Sequence, residues 1–406
     1  MTIACVLGLG TYPIQRPVHG GQRRVAAFRQ YYEDVGIAYT YACVYNPAHY
    51  DGSDVGVHDY KLDSFKCPSL SNVIGDLMSG HQAAADAKTF RHFAALLEET
   101  APDVIQLEQP FMWPLAKKLR QMSGRRKPVL IYSSQNIEAP LKRMVLASSG
   151  ASSEERNRLC SEIDEMEAEL TREADLIICV SHSDREFYLS HFRASAQTLI
   201  VPNGVQRVVN SESHRVPDGL SSFEGRRFLM TVSSSHVPTI DGLCHYVVRG
   251  GIFCAPPVPS IAICGSIAAS VAENQEYQRY VVANRKRVQF FFDVSDSELL
   301  AIKRCCHGVF LPIRSGGGTN LKTAEALVVG KWIIATTTAL RGFERFMRAE
   351  GVILADSPAE FRQAMREVLQ RPPLEISERS QAARDALFWD RCFADSALPT
   401  FLQSLG

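Results

Sequence analysis

Short apolar runs that end in a turn and pass into segments with helical periodicity recur along this chain. That alternation restricts it to α/β architectures built on parallel strands. Thr2 to Leu9 reads as a buried strand. A proline-containing loop then leads to His19-Gly20-Gly21, a helix with Val25, Phe28, Tyr32 and Val35 at helical spacing, and a second strand over Ile37 to Tyr45. This order is a βαβ unit. Further strands are expected over Pro102 to Leu107, Val129 to Tyr132, Asp175 to Val180 and Thr198 to Val201. Residues 46–80 read as an irregular surface excursion. Phe90 to Glu99 and residues 153–173 read as helices, and Ser183 reads as the cap of a short helix through an S-x-x-E box with Glu186.

Residues 206–225 are polar and lack periodicity, which marks an interdomain linker. The alternation then restarts. Strands are expected over Arg227 to Ser233, Ser260 to Cys264, Val288 to Phe292, Val309 to Ile313, Trp332 to Thr336 and Gly351 to Leu354. Ser295-Asp296-Ser297-Glu298 is a capping box before a helix reaching Cys305. Phe361 to Leu369 and residues 376–387 read as helices. The expected organisation is α/β: two Rossmann-like domains, 1–205 and 226–387, facing across a cleft, with a final apolar segment, 388–406, free to fold back on the first. Ligands in such sheets sit beyond the carboxyl ends of strands. Gly20-Gly21, the Gln135 loop, Asn203-Gly204, Ser233-Ser234-Ser235, Gly265-Ser266 and Ser315 to Thr319 all follow strands, so they are expected to line that cleft.

Composition narrows the classes of partner. Lys plus Arg and Asp plus Glu both number 44, which gives no global attraction to nucleic acid. The 11 cysteines include no C-x-x-C pair, and several sit in apolar runs, as in a protein of a reducing cytoplasm. No run approaches the roughly 20 apolar residues of a spanning helix, and no signal peptide is evident. Peripheral membrane contact is left open. Lys117-Lys118-Leu119-Arg120 with Arg125-Arg126-Lys127 reads as a solvated helix end and loop in preference to a patch for an anionic surface. Asp293 and Asp296 read as loop and cap residues, with no metal role.

The stretch from His307 to Thr338 carries the strongest site signal. A short strand breaks at Ser315-Gly316-Gly317-Gly318, and Thr319 is placed to cap the next helix. Backbone N–H groups at Gly317, Gly318 and Thr319 would favour an anion such as phosphate. Leu321, Ala324, Glu325 and Val328 share one helical face, which puts a carboxylate among apolar residues. Burying that charge is costly unless donors reach it. Ribose hydroxyls would serve; so would Lys322, as an ordinary surface pair.

Over nearly its whole length the chain resembles the GT-B retaining glycosyltransferases that use nucleotide-sugar donors, the glycosyltransferase group 1 or family 4 type. The resemblance is carried by Pro17-Val18-His19-Gly20-Gly21, Ala174-Asp175-Leu176-Ile177 with Val180-Ser181, and Val201-Pro202-Asn203-Gly204-Val205. It continues through Pro238-Thr239-Ile240-Asp241-Gly242, Gly316-Gly317-Gly318-Thr319-Asn320-Leu321-Lys322, Glu325-Ala326 and Gly330-Lys331. It implies a donor site in which Glu325 holds the ribose, while Gly317, Gly318, Thr319, Asn320 and Leu321 face the diphosphate and transferred sugar and Gly20 and Gly21 approach the same group. Where many members have a first glutamate, this chain has Gly317. Where many have an Arg and a Lys after the first strand of the second domain, Ser233 to Asp241 has neither, so Arg314 and Lys322 become the substitutes and Ser233 joins the donor set. Where relatives have a histidine before Asn-x-Glu, this chain has Gln135, which with Asn136 and His19 makes up the acceptor-side candidates.

The implied activity is transfer of a hexosyl or related group, with retention and without a metal or cofactor, from a nucleotide sugar as co-substrate. The acceptor would be a glycan, a lipid-linked molecule or a small molecule, as in polysaccharide biosynthesis, in the cytoplasm or at the inner face of a membrane. No residue is assigned as catalytic. The alternative is a catalytically silent GT-B protein that binds a sugar nucleotide or supports a partner transferase. A nicotinamide enzyme is disfavoured because no G-x-G-x-x-G follows the first strand.

Overall fold

Apolar runs too short to make helices of useful length become strands buried on both faces, as parallel sheets require. The computed structural model describes residues 3–62, 71–124, 127–147, 150–207, 216–235, 237–315 and 319–405. The chain divides into two compact units, Met1–Pro202 with Asp390–Gly406, and Asn203–Trp389.

In the first unit the strands are β1 (Cys5–Gly10), β2 (Ala38–Tyr45), β3 (Tyr60–Lys61), β4 (Val104–Leu107), β5 (Val129–Ser133), β6 (Leu176–Cys179) and β7 (Gln197–Ile200). They form one sheet in the order β3-β2-β1-β4-β5-β6-β7, every pairing parallel. In the second unit β8 (Leu229–Val232), β9 (Ile261–Cys264), β10 (Val288–Phe291), β11 (Gly308–Leu311), β12 (Trp332–Ala335) and β13 (Val352–Leu354) form a parallel sheet in the order β10-β9-β8-β11-β12-β13. In each sheet the winding direction reverses beside the first strand, between β1 and β4 and between β8 and β11. Loops that leave such a switch point part to opposite faces and open a crevice at the strands' carboxyl ends.

Side chains alternate across the second sheet as the pleat dictates. Leu229, Ile261, Ile263, Phe310 and Ile334 enter one core, while Met230, Ala262, Cys264, Val309, Leu311, Ile333 and Ala335 enter the other. In the first unit the closing helices Trp389–Ala394 and Leu398–Ser404 bring Phe393 against Tyr31, stacked with ring centroids 4.5 Å apart, and edge-on to Phe28 at 4.9 Å.

Several local expectations change. The supposed excursion over 46–80 contains β3 and the start of a helix, Ser71–Ala85. Ser181, not Ser183, caps the helix His182–Ser190, its side chain accepting from the Asp184 N–H. Asn320, not Thr319, caps Leu321–Val328. Part of the supposed linker is a 3₁₀ turn, Asp218–Phe223, whose Phe223 is buried and stacks on Phe228 at 4.1 Å. The basic cluster is absorbed locally: Lys117 Nζ lies 2.5 Å from Glu169, Lys118 sits over the Phe90 ring at 4.0 Å, and Arg120 reaches Asp175 at 3.8 Å. Arg125 and Arg126 lie outside the described residues, as do Gly316, Gly317 and Gly318. Among the described residues no helix is long and apolar enough to cross a membrane.

Candidate functional site

The switch point of the second sheet gathers most of the expected donor residues. β8 runs out at Ser233, which is buried and donates its N–H to the Cys264 carbonyl across the sheet. β11 runs out at Pro312 to Arg314, and Gly242 packs so tightly there that a β-carbon would collide with the Pro312 carbonyl oxygen. The helix Leu321–Val328 starts at the same edge. The Asn320 side chain accepts from the Lys322 N–H at 3.1 Å, and the Thr319 hydroxyl accepts from Asn203 Nδ2 at 2.7 Å. The buried stripe of this helix is Thr323, Ala324, Ala326 and Leu327, with Thr323 Oγ1 anchored on the Ala339 carbonyl. Leu321, Glu325 and Val328 flank that stripe, so the buried face is rotated from the one expected.

Lys322 turns inward. Its Nζ donates to Ser233 Oγ at 2.5 Å. Burial lowers its pKa to about 8, opposed by the nearby Glu325 charge. An ammonium held in a dry place favours any second anion that joins it. Glu325, whose charge acts on Lys322, also reaches a second lysine. Its Oε2 meets Lys303 Nζ at 2.8 Å, across from the helix Asp296–Cys305, and the two side chains are only 14% and 17% exposed. The carboxylate is therefore partly enclosed, and one of its partners comes from elsewhere in the unit. Arg314 pairs with Asp241 at 3.1 Å, half-exposed, and such a pair is readily released to an incoming anion. Lys303, Asp241 and Asn203 had no assigned role at this site. Asn203 and Asp241 lie inside motifs already noted, but nothing local marks Lys303, whose partner is 22 residues away.

The first unit gathers the acceptor-side candidates at its own switch point. His19 caps the helix Gly20–Asp34: its Nδ1 accepts from the Gln22 N–H, and Gln22 Oε1 accepts from the His19 N–H in return. The His19 ring stands edge-on to Tyr12, 4.8 Å between centroids. Crowding of the ring, then Arg23, lowers the imidazole pKa. Much of the residue still faces solvent, and screening tempers that drop. Gln135 Oε1 accepts the Tyr12 hydroxyl at 2.8 Å. Gly21 lies against both, and a β-carbon there would strike the Tyr12 hydroxyl and Gln135 Oε1. The Asn136 side chain, the third candidate, favours the charged form of Glu138.

Beneath this layer lies Glu108, fully buried at the end of β4, with Oε1 accepting from Gln106 Nε2 at 2.6 Å. Burial raises its pKa to about 7, against the opposing pull of Gln106, Arg24, Ser133 and Gln135. Arg24, also buried, is lowered by burial to about 10, with the Glu108 charge acting the other way. A glutamate directly after a buried strand at the switch point was the available signal for this pair. Burial likewise raises Glu138 to about 8 and Glu167 to about 7, Glu167 accepting from Tyr132 and Tyr188 hydroxyls at 2.6 and 2.5 Å.

These three carboxyls predict a pH trend. Between their ordinary value of 4.5 and about 7 to 8, the folded chain holds protons that the unfolded chain releases. Stability therefore falls as pH rises through that window. Urea unfolding should give a lower free energy at pH 8 than at pH 5.5, by roughly 2 kcal/mol or more, and Glu108→Gln should reduce the slope. A flat or rising profile would contradict the burial of these acids.

Among the described residues no three His, Cys, Asp or Glu side chains are placed to hold a metal ion. The sequence matches no protein-family model, and no curated protein matches it either. Solved structures do match it along its whole length. Sucrose-phosphate synthase from Thermosynechococcus elongatus superposes with a TM-score of 0.71 at 14% identity, covering 99% of each chain. HepE from Anabaena, in complex with UDP and glucose, gives 0.64 at 14% identity, covering 99% of this chain and 100% of the other. A UDP-forming α,α-trehalose-phosphate synthase from Burkholderia xenovorans, in complex with glucose-6-phosphate, gives 0.60 at 13% identity, covering 100% of both. The chain has the GT-B fold, as its two parallel sheets and these neighbours establish.

Proposed function

We propose that this GT-B chain is a glycosyltransferase that moves a sugar from a nucleoside-diphosphate sugar to a hydroxyl acceptor with retention of configuration. One observation carries the reading. At the switch point of the second sheet, one helix presents an inward ammonium, Lys322 on Ser233, and one turn later a partly enclosed carboxylate, Glu325. A cation and a carboxylate about a helical turn apart suit the two ends of a nucleoside diphosphate, with Lys322 toward the phosphates and Glu325 toward the ribose diol.

The chemistry follows from charge. Breaking the bond between the anomeric carbon and the leaving oxygen puts negative charge on the diphosphate, and an ammonium already held there stabilises it without reorganising. Lys322 supplies that charge, so the reading calls for no metal and no cofactor beyond the co-substrate. The acceptor's proton passes to the leaving diphosphate, so the transfer asks for no separate base. Of the fold's neighbours, HepE was captured with UDP-glucose and the trehalose-phosphate synthase is UDP-forming, which supports UDP as the leaving group. Incubating the purified chain with UDP-, GDP- and ADP-sugars and measuring release of the nucleoside diphosphate tests this. Release, in water or with a sugar acceptor added, is the expected result. Binding without release would favour the catalytically silent alternative, and no binding to any of them would end the reading.

A further inference from the structure

Small residues dominate the buried stripe of the helix Leu321–Val328, where Ala324 and Ala326 present only methyl groups and Thr323, fully buried, adds a hydroxyl. A threonine inside a helix commonly turns its hydroxyl back on its own preceding turn. Here Thr323 Oγ1 donates instead to the Ala339 carbonyl at 2.6 Å. Ala339 belongs to a 3₁₀ turn, Thr337–Leu340, that is itself well anchored. The Ala339 N–H reaches Thr336 Oγ1 at 3.1 Å, and that hydroxyl donates to the Ile313 carbonyl, just past the end of β11, at 2.5 Å. Thr337 gives its N–H and its hydroxyl to the two carboxylate oxygens of Asp356, at 2.7 and 2.6 Å. One turn therefore grips both the exit of β11 and the first turn of the helix. The helix has other ties, from Asn203 to Thr319 and from Arg384 to the Leu327 carbonyl, but they lie before its start and near its end.

Successive residues on a helix project about 100° apart. Seating Thr323 on Ala339 therefore fixes where its neighbour Lys322 projects, and Lys322 Nζ meets Ser233 Oγ at 2.5 Å. Resting on the donor-site reading above, we propose that Thr323 is a positioning residue for the donor's phosphates: its hydrogen bond to the Ala339 carbonyl sets the rotation of the helix that brings Lys322 to Ser233. Alanine methyls form low ridges that resist rotation weakly, so without the hydroxyl the helix turns and Lys322 moves toward water. A threonine that only satisfied a buried carbonyl would affect folding and leave Lys322 where it is.

Two readouts separate the cases: the titration of Lys322, followed by NMR of its side chain, and the affinity for UDP, by calorimetry. Thr323→Val keeps the shape and loses the donor. UDP binding should weaken about 10-fold. Lys322 should titrate well above its value of about 8, nearer the ordinary 10.5, as its ammonium regains water. Thr323→Ser keeps the donor, so it should hold UDP affinity within about 2-fold of the wild type and leave the Lys322 titration in place. If the valine variant folds poorly, Thr323→Ala, which occupies less space, carries the same expectations. A folded hydroxyl-free variant that leaves either readout at its wild-type value overturns the proposal. So does a serine variant that loses as much as the valine one. Failure of the underlying reading looks different: a wild-type chain that binds no UDP contradicts the donor site, and the Lys322 titration then decides by itself whether Thr323 sets the helix.

Discussion

Glu325→Ala is expected to weaken binding of a nucleoside diphosphate about 100-fold. Two hydrogen bonds from ribose hydroxyls to a carboxylate together contribute roughly 3 kcal/mol, which converts to that factor. The substitution also leaves Lys303 without its partner at a site where both side chains are mostly enclosed. A stability loss of about 1–3 kcal/mol should therefore accompany the binding loss. Glu325→Gln keeps the shape and some acceptor capacity, so it should lose affinity about 10-fold and unfold close to wild type. Thermal shift measures both effects at once. Ligand at 100 times its Kd should raise wild-type stability by about 2.7 kcal/mol, and the alanine variant should gain only about 0.4 kcal/mol at that concentration. A normal shift in that variant would remove Glu325 from the site.

Lys322→Met is expected to lower kcat/KM for sugar transfer about 10²- to 10³-fold, the usual consequence of removing one fixed donor from a developing negative charge. Lys322 should also impose a pH dependence. Its folded pKa is about 8 against an ordinary 10.5, with burial the main cause. Above about pH 8 the free protein loses the ammonium, so kcat/KM should fall through that region and Lys322→Met should not show the fall. The linkage has the opposite sign for folding. Between about pH 8 and 10.5 the unfolded chain binds the proton more tightly, so stability from this group rises with pH. At neutral pH the buried ammonium is held against its own solvation, a stability loss incurred where function needs a strong local charge. A pH profile that does not change on substitution would show that Lys322 stands away from the leaving group.

Periodicity made nearly all the strands legible, because a parallel sheet buries both faces and writes its strands as unbroken apolar runs. Among the elements that escaped, β3 and the helix Ser71–Ala85 did so for specific reasons. β3 is only Tyr60–Lys61, too short to carry a pattern. The helix Ser71–Ala85 contains Gly75 and Gly80, which read as breakers. Gly80 is there because the Phe111 carbonyl oxygen lies where its β-carbon would be, so a packing contact overrides propensity.

At the site, the residue types were readable and their partners were not. Glu325 was visible as a carboxylate out of place on an apolar stretch. Its tie to Lys303 depends on two helices meeting, which no spacing encodes. The direction of Lys322, toward Ser233, depends on where β8 ends relative to the helix start. Gln135 was an acceptor-side candidate, and the tie of its carbonyl oxygen to the Tyr12 hydroxyl, 123 residues away, is written in no local pattern. Glu108 and Arg24 went unnoticed because each looks like an ordinary surface charge until burial is known.

The most direct measurement is a crystal structure of the chain with UDP bound. The result expected is a ribose with hydroxyl oxygens within about 3.2 Å of the Glu325 carboxylate and phosphate oxygens on Lys322 Nζ. A nucleotide bound elsewhere, with Glu325 paired only to Lys303 and Lys322 still seated on Ser233, would contradict it.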